Sequence, residues 1–188
     1  MKKDLIIMGV LGVLCWAQPA WAAKAVALIT ATQEGSQVNG EAVFEETPEG
    51  LDVEVRVANV PPGKHGFHIH DKGDCSDHGN AAGGHYNPDN VMHGLTTKDG
   101  FEHAHAGDFG NIEIKEDGTG ALKFFVPHLT LTGGKYNVEG KAVILHEKED
   151  DFGQPTGNAG ARIGCGVIML KDESGSRAEN GLRDTGGG

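Results

Sequence analysis

The chain predicts an all-β fold, a sandwich or barrel with two long functional loops. Three observations carry this: short β-rich segments set apart by turn residues, period-two alternation of apolar and charged side chains, and the absence of a convincing helical period. The expected strands are Ala25 to Thr32, Gln37 to Glu46, Leu51 to Val60, Gly66 to His70, Ile112 to Lys115, Gly120 to Val126, Lys141 to His146 and Ile163 to Leu170. The third has the clearest pattern, since Leu51, Val53, Val55 and Val57 alternate with Asp52, Glu54 and Arg56, as in a strand with one wet face. Thr47-Pro48-Glu49-Gly50 and Asp117-Gly118-Thr119-Gly120 read as hairpin turns.

In the fourth strand, Gly66-Phe67-His68-Ile69-His70, alternation sends both imidazoles to one face and Phe67 and Ile69 to the other. Two nitrogen ligands are thereby fixed by backbone geometry. The stretches Asp71 to Gly110 and Glu147 to Ala161 read as loops, rich in glycine and loaded with His, Asp and Asn. Loops of that length in a compact domain are usually functional. They hold too few apolar residues to pack by themselves, so metal ligation and a disulfide are the available restraints.

The N-terminus carries Lys2 and Lys3, an apolar run from Leu5 to Trp16 and small residues at Ala20-Trp21-Ala22, the pattern of a cleaved secretory leader. The run is shorter than the roughly 20 apolar residues of a membrane anchor. Cleavage after Ala22 makes 1–22 the signal peptide and 23–170 a single domain. The glycine-rich polar stretch 171–188 reads as a solvated tail. The formal net charge is -11; the leader's two lysines and one aspartate carry +1, so its removal leaves -12. Such a charge excludes nucleic acid as a partner, and leader removal leaves no membrane segment. Cys15 leaves with the leader. Cys75 and Cys165 then form an even pair in a chain destined for an oxidising compartment, periplasmic or secreted, which reads as a disulfide. Two metal-bound thiolates are the alternative, although neither cysteine sits in a Cys-x-x-Cys pair.

The first loop contains Gly83-Gly84-His85-Tyr86-Asn87-Pro88, Val91-Met92-His93-Gly94 and His105-Ala106-Gly107-Asp108-Phe109-Gly110-Asn111. His68-x-His70 precedes them; His146 and the run from Gly157 to Gly166 follow. In this order the motifs resemble those of copper,zinc superoxide dismutase, over nearly the whole span from Ala25 to Leu170. The resemblance implies a Greek-key, immunoglobulin-like flattened barrel. It implies copper held by His68, His70, His85 and His146, and zinc by His85, His93, His105 and Asp108, with His85 bridging the two. The donor types agree, because an open all-imidazole set suits redox-active copper and a closed set of three nitrogens and one oxygen suits zinc. His105 is preferred over His103 because it stands three residues before Asp108. Asp150 matches a carboxylate that links the outer nitrogens of a copper and a zinc ligand.

The implied reaction is conversion of superoxide to oxygen and hydrogen peroxide by Cu(II)/Cu(I) cycling. Arg162 matches an arginine beside the copper opening, where a fixed guanidinium orients a diatomic anion against the protein's net negative charge. Thr156 matches the opposite channel wall, and Lys148 a steering lysine. Taken singly, each histidine reads as a surface or hydrogen-bonded residue, Asp108 as a turn residue and Asp150 as part of an acidic run. His65 matches a structural position, and His78, His103 and His128 match no role. Asp74-Cys75-Ser76, close after His70, resembles bacterial members. Lys72 stands where animal forms carry an apolar dimer contact, and Pro155 where they carry a second steering lysine. The expected state is therefore a monomer or a homodimer not of the animal type. An exported copper buffer or donor on the same fold is the rival reading, though it has no need of Arg162, Thr156 or a bridging His85.

Overall fold

The computed structural model describes residues 22–171 of the 188-residue chain. The expected leader and tail lie outside the described residues, apart from Ala22 and Lys171. Among the described residues nine strands follow in order: β1 Lys24–Ala31, β2 Asn39–Thr47, β3 Gly50–Ala58, β4 Gly63–His70, β5 Asp108–Ile114, β6 Gly120–Pro127, β7 Ala142–His146, β8 Arg162–Val167 and β9 Met169–Leu170.

All strand pairings are antiparallel, in the order β2-β3-β6-β5-β4-β7-β8-β1-β9, and a further β1–β2 pairing closes the sheet into a barrel. The closure is uneven. β5 and β6 share the single pair Ile114↔Gly120, and β1 and β8 share only Thr30↔Cys165 and Ala31↔Gly164. The barrel is therefore flattened into two four-stranded faces, β1-β2-β3-β6 and β5-β4-β7-β8, as the all-β expectation requires.

Between the faces lies the core, in which Ile29, Phe44, Leu51, Phe67, Ile69, Ile112 and Leu145 are fully buried. Each such side chain contributes roughly 1.5–3 kcal/mol over its exposed state. β3 behaves as its sequence predicts: Leu51, Val53, Val55 and Val57 face this core while Asp52 and Arg56 stay in water.

β4 and β7 are buried on both sides, and this creates the room for a site. Phe67 and Ile69 of β4, with Val143 and Leu145 of β7, point inward. On the outer face Ala142 and Ile144 of β7 form a second small cluster with Ala82 and Cys165, and Cys75 packs against it. Cys75 and Cys165 are bonded, Sγ to Sγ, with Cα atoms 5.7 Å apart across 90 residues of sequence. The disulfide thus pins the first loop to β8.

Several boundaries differ from the sequence expectation. β4 begins at Gly63, three residues early, and β5 begins at Asp108 rather than Ile112. The cause is tertiary: Gly63 to Gly66 pair with Ile114 to Asn111, and His68 with Asp108, which overrides the loop-like composition around Gly107 and Gly110. The loop also holds one turn of helix, Thr96–Asp99, and a 3-10 segment, Asp77–Ala82, broken by positive φ at His78 and Gly79. The final expected strand is interrupted at Ile168, whose N–H donates to Lys141 O while its carbonyl accepts from Gly140 N–H and its side chain enters the core.

Candidate metal centre

Six imidazoles and two carboxylates converge on the outer face of β4, β5 and β7, and all eight residues are buried: His68, His70, His85, His93, His105, Asp108, His146 and Asp150. Pairing register brings them there. His68 lies opposite both Asp108 of β5 and Ile144 of β7, and His70 bridges to His85 in the first loop. The β4–β5 ladder shifts register between Gly66 and His68, and the β7–β8 ladder between Leu145 and His146. Bulges of this kind re-aim the adjacent side chains.

His68, His70, His85 and His146 form one group whose candidate donor atoms all lie within 4.8 Å of one another. In each ring one nitrogen has an outer partner. His70 Nδ1 is 2.9 Å from Gly83 O, His146 Nδ1 is 3.4 Å from Gly160 O, His68 Nε2 is 2.9 Å from Asp150 Oδ2, and His85 Nδ1 is 2.7 Å from Asp108 Oδ1. The other nitrogens are left to the group's interior, where His70 Nε2 and His146 Nε2 stand 3.3 Å apart. An imidazole that donates outward offers its second nitrogen as a lone pair.

His85, His93, His105 and Asp108 form the second group, under the same 4.8 Å limit. Asp108 Oδ2 lies 2.7 Å from His93 Nδ1 and 3.1 Å from His105 Nδ1. The His93 contact is close but misaligned for a hydrogen bond, so His93 Nδ1 and His68 Nδ1 remain buried without a hydrogen-bond partner. Such an atom costs about 1–3 kcal/mol, which a coordinated ion removes. Both orphaned atoms belong to the groups, so the residues present fit metal ions. His85 belongs to both groups, and its ring centroid is 4.2 Å from that of His68 and 5.3 Å from that of His93.

Asp150 joins the two groups from behind. One oxygen meets His68 Nε2 at 2.9 Å, and the other meets His93 Nε2 at 2.9 Å. Its backbone is held by Asn111, whose amide donates to Asp150 O at 2.9 Å and whose Oδ1 accepts from Asp150 N at 2.7 Å. Gly157 is obligatory here: its φ is +76°, and a Cβ would fall 1.9 Å from Asp150 Oδ1.

Burial, reinforced by neighbouring imidazoles, pushes His70 and His146 down to about 2. Burial also carries His85 down to about 4, against the raising effect of its hydrogen bond to Asp108. Burial opposes charge on His93 too, but Asp108 and Asp150 outweigh it and raise the group to about 9. For Asp108 and Asp150 burial favours the neutral acid, yet the surrounding imidazoles hold both well below the usual carboxylate range. At neutral pH His70, His85 and His146 therefore present neutral imidazoles, the form that binds metal, and the second group presents an ionised carboxylate.

Above the first group opens a cleft of about 350 Å³, lined by His70, His85, His146, Thr156 and Arg162. Arg162 is the cross-strand partner of His146. Its guanidinium donates to Gly79 O at 2.5 Å and Gly83 O at 2.6 Å. Burial lowers its pKa, but from so high a starting value that it stays charged.

Lys148 is the exception among the expected site residues. Its side chain is exposed and lines no part of the cleft; its backbone pairs with Gly66 and Ala159. Its stem lies against Gly160, which itself lines the cleft. Other lining residues were not singled out in the sequence: Gln33, Asn80 and Asn158 join His78, whose Nδ1 is 2.9 Å from Thr32 O. Gln33 carries no local signal, because it reaches the cleft from the β1–β2 turn. His65, buried, spans His146 O at 2.8 Å and Pro61 O at 2.9 Å, in keeping with a structural position. His103 and His128 are exposed.

A closed antiparallel barrel with two fused histidine-rich groups beneath a cationic cleft defines a class, the two-metal β-barrel proteins. The chain belongs to the copper/zinc superoxide dismutase family, whose model matches residues 38–168. It is 42% identical over 149 residues to an extracellular Cu-Zn superoxide dismutase of Drosophila melanogaster, covering 73% of this chain and 79% of that one. It is 38% identical over 152 residues to a Cu-Zn superoxide dismutase of Onchocerca volvulus, covering 74% and 94%. A third relative, the extracellular enzyme of Caenorhabditis elegans, is 34% identical over 183 residues, covering 92% and 80%. The crystal structure of the clock protein EA4 superposes with a TM-score of 0.70 at 32% identity, over 82% of this chain and 99% of that one. The protein is thus an oxidoreductase that uses copper and zinc and acts on superoxide. The bacterial-like origin expected from Asp74-Cys75-Ser76 finds no support in these relatives, which are animal enzymes; three residues around one cysteine are too short a signal to set lineage.

Proposed function

We propose that the first group, His68, His70, His85 and His146, holds copper, that His85, His93, His105 and Asp108 hold zinc, and that His85 serves both ions. The observation that carries this assignment is the membership of His85 in both groups. Copper supplies a one-electron couple, Cu(II)/Cu(I), and zinc a fixed positive charge, so that two superoxide anions and two protons become one oxygen and one hydrogen peroxide.

Arg162 draws the anion into the cleft and orients it; its permanent charge offsets the expected net charge of -12, which repels superoxide in bulk. The carbonyls of Gly79 and Gly83 fix the guanidinium without neutralising it. Thr156 narrows the opposite wall. With Nδ1 committed to zinc, Nε2 of His85, the nitrogen turned toward the first group, would be the position that takes up a proton and passes it to the second superoxide as that is reduced. Asp150 fixes the tautomers of His68 and His93 through their Nε2 atoms. Lys148, exposed and outside the cleft, acts at most through long-range charge.

The extracellular relatives and the Ala20-Trp21-Ala22 pattern support an exported protein, secreted or periplasmic, with 23–170 as the working domain and 171–188 as a tail. Among the described residues no helix is long and apolar enough to cross a membrane. A lysine at position 72, where the animal type carries an apolar contact and burial of a charge would be costly, supports a monomer or a homodimer built differently from the animal type. Metal content measured together with superoxide scavenging on purified protein tests the whole reading. One copper and one zinc per chain with turnover supports it, and copper bound without turnover favours the buffer.

A further inference from the structure

The second loop grips His93 with three alternate residues. Asp150 takes the ring's Nε2 at 2.9 Å. Phe152 stacks beside the ring, centroids 6.3 Å apart and planes 21° apart. Gln154 then binds the main chain of the same residue twice: its Oε1 accepts from His93 N–H at 3.1 Å, and its Nε2 donates to His93 O at 2.9 Å. All three contacts come from one short stretch of the second loop. Two features mark it as built for this contact. Phe152 holds a φ of +59°, a costly conformation for a bulky side chain, and its N–H donates to Asp150 Oδ1 at 2.8 Å. Gln154 itself is exposed, yet both polar atoms of its amide are used on one backbone unit 61 residues away.

We propose that Gln154 is a positioning residue for zinc, clamping the backbone of His93 so that its ring is held ready for the ion. The inference rests on the assignment of His93 to the zinc group. His93 Nδ1 is one of two described ring nitrogens buried without a hydrogen-bond partner, and its direction is set by the backbone that Gln154 holds. With the clamp gone, the N–H and carbonyl of His93 turn to water, the ring gains freedom, and the entropy of fixing it falls on metal binding. Copper binding should change little, because Gln154 touches no residue of the first group other than through His93.

The test uses the metal-loaded, full-length mature protein and the variants Gln154→Ala and Gln154→Glu. Zinc release is followed against a competing chelator, and cobalt(II) placed in the zinc site reports ligand geometry by its visible spectrum. Gln154→Ala should release zinc on the order of 10- to 100-fold faster and broaden the cobalt bands. Gln154→Glu, which still accepts from His93 N–H but cannot donate to its carbonyl, should fall between. Since Gln154 is exposed, melting of the metal-free variants should match that of the parent, which separates zinc positioning from folding. A Gln154→Ala protein releasing zinc within twofold of the parent, with an unchanged cobalt spectrum, overturns the role of Gln154 alone. A parent protein that holds no zinc at His93 overturns the ligand assignment as well.

Discussion

His70 and Arg162 share one acceptor: the carbonyl oxygen of Gly83 lies 2.9 Å from His70 Nδ1 and 2.6 Å from Arg162 Nη2. A member of the first metal group and the cleft's cation are therefore held by the same peptide unit. That unit is fixed by the disulfide, because Cys75 O accepts from Gly79 N–H and the segment from Cys75 to Gly83 is pinned to β8 through Cys165. Fold, metal group and the cleft's cation meet in the nine residues from Cys75 to Gly83.

Replacing both cysteines by serine should cost stability and activity together. Releasing a 90-residue closure is worth about 4–5 kcal/mol in the chain-entropy model. The melting temperature of the metal-free protein should fall by about 10–20 °C. The surviving folded fraction should turn over more slowly, because Gly79 and Gly83 no longer hold Arg162. Full activity per folded molecule after reduction would break the link between disulfide and arginine.

Arg162→Ala should slow superoxide consumption on the order of 10- to 100-fold and flatten its dependence on ionic strength. Arg162→Lys should restore the charge but only part of the rate, since an ammonium cannot reach Gly79 O and Gly83 O as a planar fork does. Stopped-flow rates at low and high salt decide it; identical salt slopes in parent and Arg162→Ala would remove Arg162 from the approach path.

Much of this was legible in the sequence, and the failures share a cause. Period-two patterning in Leu51 to Val57 and in Phe67 to His70 reports which way side chains point, and the structure has them so. The family's spacing to Asp108 favoured His105 over His103; His105 lies in the second group and His103 is exposed. The carbonyls of Gly79 and Gly83 were invisible, because a backbone acceptor leaves no residue-type signature. Gln154 was missed for a related reason: its partner is main chain, 61 residues away. β5 began early because His68 opposite Asp108 is a tertiary pairing that composition does not reveal.

Asp150→Asn should weaken both metal groups. A carboxylate accepts from His68 Nε2–H and His93 Nε2–H at once, whereas an amide presents one acceptor and one donor, and the donor would face an N–H. Affinity for zinc should drop about 10- to 100-fold, with a smaller loss for copper. Equilibrium dialysis with both metals measures it, and unchanged affinities would reduce Asp150 to a loop anchor.

The metal-free protein should be most stable near pH 6.5. Below that value the unfolded chain protonates its histidines, whereas folded His70 and His146 stay neutral down to about 2 and His85 to about 4, so stability falls with acid. His93 runs the other way: folded it keeps its proton to about 9, so its contribution is complete below 6.5 and is lost as pH rises through 9. Urea midpoints at pH 5, 6.5 and 8.5 should therefore peak at the middle value. A midpoint that rises steadily toward acid would contradict neutral His70, His85 and His146.

The most direct measurement is anomalous scattering from metal-loaded crystals at the copper and zinc absorption edges. Two distinct ions should appear on opposite sides of the His85 ring, zinc on the Nδ1 side with Asp108 and copper on the Nε2 side with His68, His70 and His146. A single ion, or two ions of which only one touches His85, would contradict the shared-ring account.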